Sequence, residues 1–540
     1  MSMNKFLLFG TLTALLSGCG GGQYGSKSEI YNTLAPSNPI DVQESFLYAT
    51  SLYGSDDDGP NANIAVLLPM SGSAKSVGND IKTSIETAFL RKPKANVKVS
   101  FYDLSGNTNK RYDTIRQVLN TYPDVIIGPL FAEDARILRD EKPDNLPVIS
   151  FTSDVNSLGD GVMSVNLIPT QSIETIIRQI QSDTTRGLVI FAPNNANGQS
   201  MLSVADIAAD LYNVPVNGIF YYDSGNSESI KNAVMRASLY STRKAVNTRA
   251  REVLSDILAK EEISKETRKD LSNQLEKISR TETLGKLPYD SVLFLGNGDD
   301  SKAIASFLRY YGVNNRDVAF YGTALWQNSD IASDFTLSGA RYATLPEISD
   351  NFVNLYNSVG GKQPDYLAAF GYDAANLALG KFYTQKSGPA YFFDPSGYIG
   401  TTGVFRIQPT GESEHALRIV ELNNSQTPQT IKDASNNFMV PLYNIHLTGS
   451  HPVSEKPISM SGINPGDYIT IPEELRRKSE YRTKTIGINY VDNEPEPAQI
   501  PVYIPTQTSN DTETVSNPDF EPRKLESVSR QYIDNVEIEE

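Results

Sequence analysis

From Ile64 onward the chain alternates two kinds of segment. Runs that are apolar almost throughout, such as Ile64-Ala65-Val66-Leu67-Leu68, Val125-Ile126-Ile127 and Val148-Ile149-Ser150-Phe151, are separated by stretches whose apolar residues recur at helical spacing, as Ile81, Ile85, Ala88 and Phe89 do between Asn79 and Leu90. Val97–Tyr102 followed by a helix over Tyr112–Leu119, and a further helix over Ala132–Leu138, keep the same rhythm. A second series has a helix over Ile173–Ile180, a strand at Leu188–Phe191, a helix over Met201–Leu211, a strand at Gly218–Tyr222 and a helix from Ser229; it resumes with Ser291–Leu295, Lys302–Tyr310 and Val318–Tyr321. A strand covered on both faces has no reason to alternate polar and apolar positions, so these runs predict parallel sheets with helices on both sides. The expected fold class is α/β, with two doubly wound lobes joined at a hinge. Lobe 1 is placed at about 62–168 and 324–398, and lobe 2 at about 172–322 and 400–425.

The rhythm breaks between Arg243 and Lys286. Apolar residues fall there at Leu254, Ile257 and Leu258 and again at Leu271, Leu275 and Ile278, with Ser264 placed as an N-cap between them, which predicts an inserted helical hairpin. The segment carries eleven Lys or Arg against eight Asp or Glu, a net of +3. Two readings stay open for it: a solvated decoration, or a partner-binding element. Residues 426–540 are polar and rich in proline, and 491–540 carry twelve acids against three bases. Such composition does not repay ordering entropy, so the tail is expected to be largely disordered, with local strands at Asp467–Ile471 and Gln499–Ile504 as the exceptions.

The start of the chain reads as an export signal rather than structure: a short cationic opening at Met1–Lys5, an apolar run from Phe6 to Leu16 too short to span a bilayer as a helix, then Ser17-Gly18. Leu16-Ser17-Gly18-Cys19 resembles the lipobox of bacterial lipoproteins. The resemblance implies that 1–18 are removed and Cys19 is lipidated, with Gly20 in the next position favouring the outer membrane. Cys19 is the single cysteine of 540 residues, which suits an attachment point better than a disulfide. Residues 19–61, rich in Gly, Ser, Asn and Asp, are expected to be a flexible tether. The formal charge of −16 argues against a nucleic-acid partner.

Several segments carry a family likeness. Ile64–Gly72 followed by Val77-Gly78, Val125–Leu130 and Leu146–Ser150 resemble the opening lobe of leucine-binding-type periplasmic proteins. Tyr310-Tyr311-Gly312-Val313, Tyr321–Trp326, Phe370–Ala375 and Gly400–Arg406 resemble the alphaproteobacterial penicillin-binding protein activators, and the likeness covers roughly Asn63 to Leu422. It implies a type I periplasmic-binding-protein fold for 62–425. It also implies an outer-membrane lipoprotein facing the periplasm that stimulates a peptidoglycan synthase, a bifunctional penicillin-binding protein. Where the best-studied activators carry a helical-repeat domain ahead of this one, the present chain has the tether. A substrate-binding lipoprotein of an ABC transporter, for amino acids or other small solutes, is the alternative that the fold leaves open.

In open parallel sheets, ligands gather at the loops after the strands' C-terminal ends. The loops that qualify offer Ser71, Gly72 and Ser73 with Thr152 and Ser153 in lobe 1, and Asn194, Asn297 and Asp299 in lobe 2. In amino-acid-binding relatives, hydroxyls and N–H groups at the first set hold a carboxylate and an acid opposite accepts the ammonium, roles that Thr152, Ser153 and Asp299 would fill. The same small polar residues also make tight turns with no ligand at all. The three histidines, His415, His446 and His451, form no metal spacing, and no G-x-S-x-G, Walker or H-E-x-x-H pattern occurs. The expectation is therefore no catalytic residues, no metal and no cofactor: a binding protein.

Overall fold

The computed structural model describes residues 38–41, 62–90, 97–327, 330–360, 362–383, 391–423, 427–438, 451–459, 463–478 and 481. The first sheet consists of β1 (Ala62–Leu68), β2 (Val97–Asp103), β3 (Val125–Ile127), β4 (Val148–Ser150) and β5 (Val162–Ser164). All are parallel, in the order β2-β1-β3-β4-β5. Helices α1 (Lys75–Leu90), α2 (Thr108–Leu119) and α3 (Ala132–Glu141) connect the first four strands. β3, β4 and β5 are buried at every position, the reason these strands carry no polar alternation.

The second lobe opens with α4 (Pro169–Asp183) and continues through β6 (Leu188–Pro193), α5 (Ala196–Leu211), β7 (Val216–Tyr222) and α6 (Ser227–Ala237). The hairpin follows as α7 (Tyr240–Lys260) and α8 (Lys265–Ser279), with Ser264 Oγ accepting the Thr267 N–H at 3.0 Å as the N-cap. β8 (Ser291–Phe294), α9 (Gly298–Tyr310), β9 (Ala319–Gly322) and β10 (Arg341–Thr344) complete a parallel order β7-β6-β8-β9-β10, which repeats that of the first sheet. The repeat extends to a local device. A Cβ on Gly78, in the first turns of α1, would lie 2.1 Å from the Pro69 carbonyl oxygen, and one on Gly198, at the start of α5, 2.0 Å from that of Pro193. In each lobe the helix that follows the first strand approaches the end of that strand so closely that only glycine fits.

The chain then returns to lobe 1 as α10 (Asp350–Gly360) and α11 (Tyr366–Tyr383), both packed on α1. A three-stranded antiparallel sheet follows: β11 (Tyr398–Gly400), β12 (Gly403–Ile407) and β13 (Ser413–His415). β14 (Arg418–Glu421) and β15 (Gln429–Lys432) then add antiparallel to β10 in the second sheet.

Four expectations need correction. Residues 324–344 belong to lobe 2, not lobe 1: β10 pairs with β9, and the fully buried Trp326 packs on Phe294 and Tyr342 in the second lobe's aromatic core. Residues 398–415 form a sheet of their own between the lobes rather than part of lobe 2. Within the expected tether, Ile40 is fixed to β11, its N–H donating to Gly397 O at 2.8 Å and its carbonyl accepting from Ile399 N at 3.0 Å. The tail expectation fails for 427–432, 451–459 and 463–481, where the described residues pack on lobe 2; Ile469 and Ile471 are buried there without forming a strand. Cys19, the signal segment and Gln499–Ile504 lie outside the described residues.

Candidate functional site

The loops expected to carry a ligand do lie after the C-terminal ends of β1, β4, β6 and β8, and each named side chain there has a local partner or faces solvent. Ser71 Oγ donates to Asp103 at 2.6 Å, and its N–H is 3.3 Å from Ser105 Oγ. Gly72, in the left-handed region at φ 73°, and Ser73 are exposed. Thr152 is buried; its hydroxyl accepts the Asp154 N–H and its carbonyl accepts the Ser164 hydroxyl, while Ser153 beside it is exposed. Asn194 reaches Asp223 at 3.4 Å. Asn297 caps α9 by accepting from Asp300 N at 2.9 Å, and Asp299 pairs with Lys302 at 2.7 Å with its side chain 90% exposed. Among the described residues no hydrogen bond joins the lobe 1 set to the lobe 2 set.

Sequence reasoning missed the acid that organises the second-lobe loops. Asp300 is buried and accepts from Ser224 Oγ, at 2.5 Å, and from Gly225 N, at 2.9 Å, tying the loop after β7 to the start of α9. Its only signal was adjacency to Asp299.

The hinge concentrates buried polar groups. Asp373, from α11, is buried beside the turn after β11, and burial pushes its carboxyl up to about 7 although Thr401 hydrogen-bonds to it. His415 is buried between Phe405 and Phe370. Burial pulls its pKa down to about 4, and Nε2 lies 3.1 Å from the Val165 carbonyl; only an N–H can donate there, so the neutral ring carries its proton on Nε2. His415 thereby ties β13 to the segment that leaves lobe 1, with 6% of its surface exposed. His451 lies on α5, 2.7 Å from Ser203 Oγ and 3.3 Å from Asp206; His446 is outside the described residues. Among the described residues no group of three or more His, Cys, Asp or Glu is placed to hold a metal, and no helix is long and apolar enough to cross a membrane.

The hairpin is not a free surface. Its inward residues Ala250, Val253, Leu254, Ile257, Leu271 and Ile278 form one cluster with Ile469, Ile471, Leu475 and Tyr481. Thr470 pairs with the Gln274 amide through two bonds, N–H to Oε1 at 2.8 Å and Nε2 to carbonyl at 3.0 Å. Upstream, residues 451–459 form a strap along β7, the sheet's edge: Ile219 and Lys456 exchange backbone bonds, the Tyr221 hydroxyl donates to Val453 O at 2.6 Å, and Arg236 pairs with Glu455 at 2.8 Å. An edge strand and an apolar helix face are the two surfaces that a parallel lobe most needs to cover, and one extended strap covers both. What the hairpin leaves in solvent is polar and of both signs: Arg251, Lys265, Lys269 and Lys277 are exposed, and so are Glu252, Glu262, Glu266, Asp270 and Glu276.

A parallel sheet and a mixed sheet whose five parallel strands repeat its order, with the chain crossing between them at 165–168, at 345–349 and through the small antiparallel sheet, define a type I periplasmic-binding-protein fold. At 16% identity and a TM-score of 0.50, a branched-chain amino acid ABC transporter candidate from Rhodospirillum rubrum aligns over 69% of this chain and 100% of its own, a likeness of fold. Residues 57–217 match the family model described as "LppC putative lipoprotein". Over 238 residues the chain is 22% identical to penicillin-binding protein activator LpoA of Pasteurella multocida (strain Pm70); the match covers 41% of this chain and 40% of that protein, so it spans less than half the relative's length. The LpoA (YraM) C-domain from Haemophilus influenzae, a regulator of PBP1A, aligns over 68% of this chain and 100% of its own at 16% identity and a TM-score of 0.45.

Proposed function

We propose that this chain is a non-enzymatic lipoprotein, anchored through Cys19 in the outer membrane and facing the periplasm, that binds and stimulates a bifunctional peptidoglycan synthase. The observation that carries this reading is the sequence likeness to a penicillin-binding protein activator over 238 residues. The shared fold does not separate an activator from a solute receptor, because a fold hosts many functions. The cleft loops add support: their polar side chains are engaged locally or exposed, as turn and cap residues are, and the one acid expected to meet an ammonium already has a lysine. The contact surface for the synthase is the outer face of α7 and α8, where Lys265, Lys269 and Lys277 stand in a segment of net charge +3, since the inner face is covered by the chain's own strap. Opposite charge across an interface speeds and orients encounter.

The test is glycan polymerisation and crosslinking by the bifunctional synthase of the same organism, with and without the purified full-length chain. A rise in either rate together with measurable binding is the expected result; neither binding nor stimulation of any synthase of that organism overturns the proposal. The contact surface is tested by Lys265→Glu, Lys269→Glu and Lys277→Glu combined, expected to weaken binding while leaving the unfolding transition in place. Unchanged binding would refute the hairpin's part alone.

A further inference from the structure

The N-terminal ends of β6, β8 and β9 lie on the side of lobe 2 opposite the loops of Asn194 and Asn297. A cavity of about 470 Å³ opens there, lined by Arg186, Arg243, Lys286, Leu287, Val313 and Asp317 among others. Arg243 stands in the first turn of α7, at the root of the hairpin, and is only 7% exposed. Its guanidinium donates solely to backbone carbonyls: Nε to Gly285 at 3.1 Å, Nη1 to Ser238 and Tyr311 at 3.3 Å each, and Nη2 to Gly312 at 3.1 Å. Among the described residues no carboxylate forms an ion pair with it.

Arg186 on the opposite wall is likewise held by backbone carbonyls, with one acid beside it. It donates to Leu287 O at 2.8 Å and to Asp317 O at 3.1 Å, and its Nε stands 3.7 Å from Asp290. Asp290 offers it little, because its two oxygens already take the hydroxyls of Thr184 and Thr185 and two backbone N–H groups. Lys286 sits exposed at the rim, and Asp317, the one acid of the lining, accepts from Asn314 at 2.8 Å. Three cations, Arg186, Arg243 and Lys286, face two carboxylates, Asp317 in the lining and Asp290 beside Arg186, so one positive charge is in excess; the buried Arg243 is the cation with no carboxylate paired to it among the described residues, and a buried charge without a counter-ion is costly. A guanidinium has five N–H groups, and the carbonyls do not use all of them on either arginine. The remaining wall, Leu287, Val313 and Val318, is apolar.

We propose that this cavity is a binding site for a small organic anion, its oxyanion head on Arg186 and Arg243 with Lys286 closing the rim, and its carbon body against Leu287, Val313 and Val318. Planar forks of N–H donors match both carboxylate and phosphate oxygens, so the class is an oxyanion, and the probe decides which. Because Arg243 joins the hairpin root at Gly285 to the end of α9 at Tyr311 and Gly312, occupancy stabilises the base of the hairpin, far from the cleft loops.

The test titrates the full chain with inorganic phosphate and, separately, with butyrate, following the unfolding midpoint against sodium chloride of equal ionic strength. A bound ligand raises the midpoint with a logarithmic, concentration-dependent form, whereas general exclusion of phosphate acts on any variant alike. The expected result is a titration with at least one anion that Arg186→Gln and Lys286→Glu each weaken by roughly tenfold or more, as loss of a charge-assisted contact does. Both side chains are partly or fully exposed, so these variants are expected to fold, and circular dichroism checks it. Response to phosphate alone or butyrate alone supports the site and assigns its head group. Midpoints equal to those in chloride for both anions, or identical responses in wild type and both variants, overturn the proposal.

Discussion

Thr401 donates both its backbone N–H and its hydroxyl to the Asp373 carboxylate, at 2.9 Å each, and that carboxylate is buried in the hinge. Two bonds do not offset the desolvation, and the pKa rises from the ordinary 3.8 to about 7. A raised acid pKa means that folding favours the neutral form. The stability it contributes is full below pH 3.8 and is lost as pH climbs toward 7, because the unfolded chain ionises first.

Asp373→Asn removes this titration while keeping an acceptor for Thr401. Its stability relative to wild type is expected to grow between pH 4 and 7, by up to about 4 kcal/mol. Urea midpoints of both proteins across that range check it; a difference that stays flat refutes it. Taking the difference matters because His415 acts in the opposite sense: its pKa falls from 6.5 to about 4, so it withdraws stability as pH drops through that window in both proteins alike.

Gly78→Ala and Gly198→Ala should both destabilise, by about 2–4 kcal/mol, although alanine in an exposed helix interior ordinarily gains about 1 kcal/mol over glycine. The added carbon would stand about 2 Å from a backbone oxygen of Pro69 or Pro193, which cannot move aside as a flexible side chain does. Thermal unfolding of each variant decides the sign.

What was legible in the sequence was whatever local periodicity records. Ile64–Leu68 and Leu188–Phe191 are apolar without alternation because both faces are covered, and Leu271, Leu275 and Ile278 announce a helix with one inward side. Periodicity does not say which sheet a strand joins. Arg341–Thr344 went to the wrong lobe because its partner, β9, is fixed by Trp326 filling a hole between Phe294 and Tyr342. The strap was illegible for a different reason. Ile469 and Ile471 keep the spacing of a strand but form none, because part of the backbone there bonds to a side chain, Gln274, rather than to a ladder, and Ile463 and Leu475 extend no strand pattern. The missing clue lay in the hairpin, whose apolar stripe needs a cover that nothing nearby in sequence supplies. Of the site, the loops were legible, but the ties that engage them, Asp103 with Ser71 and Lys302 with Asp299, were not.

The cleft is expected not to bind free amino acids tightly. Asp299, the residue suited to an ammonium, holds Lys302 one helical turn on, and the Thr152 hydroxyl is engaged by Asp154 N. Calorimetry with the common amino acids should show no submicromolar affinity. A tight isotherm that Thr152→Ala or Asp299→Ala abolishes would instead place the chain among solute receptors.

The strap makes a ranked prediction, because three of its contacts to the hairpin differ in kind. Ile471 is 6% exposed within the shared cluster, so Ile471→Ala leaves a cavity as well as losing transfer free energy, about 2–4 kcal/mol. Gln274→Ala removes two hydrogen bonds to Thr470 at a partly exposed position where water can replace them, and should cost about 1 kcal/mol. Lys478→Ala breaks an ion pair with Glu261 in which the lysine is nearly half exposed; solvent screens that pair, so its effect should be the smallest of the three. Denaturant midpoints at one pH give the order directly. Ile471→Ala should also raise binding of a hydrophobic dye, because α7 and α8 lose part of their cover. If Ile471→Ala matches Lys478→Ala in both readouts, the strap is a loose surface association and the hairpin's apolar face must be covered by something else.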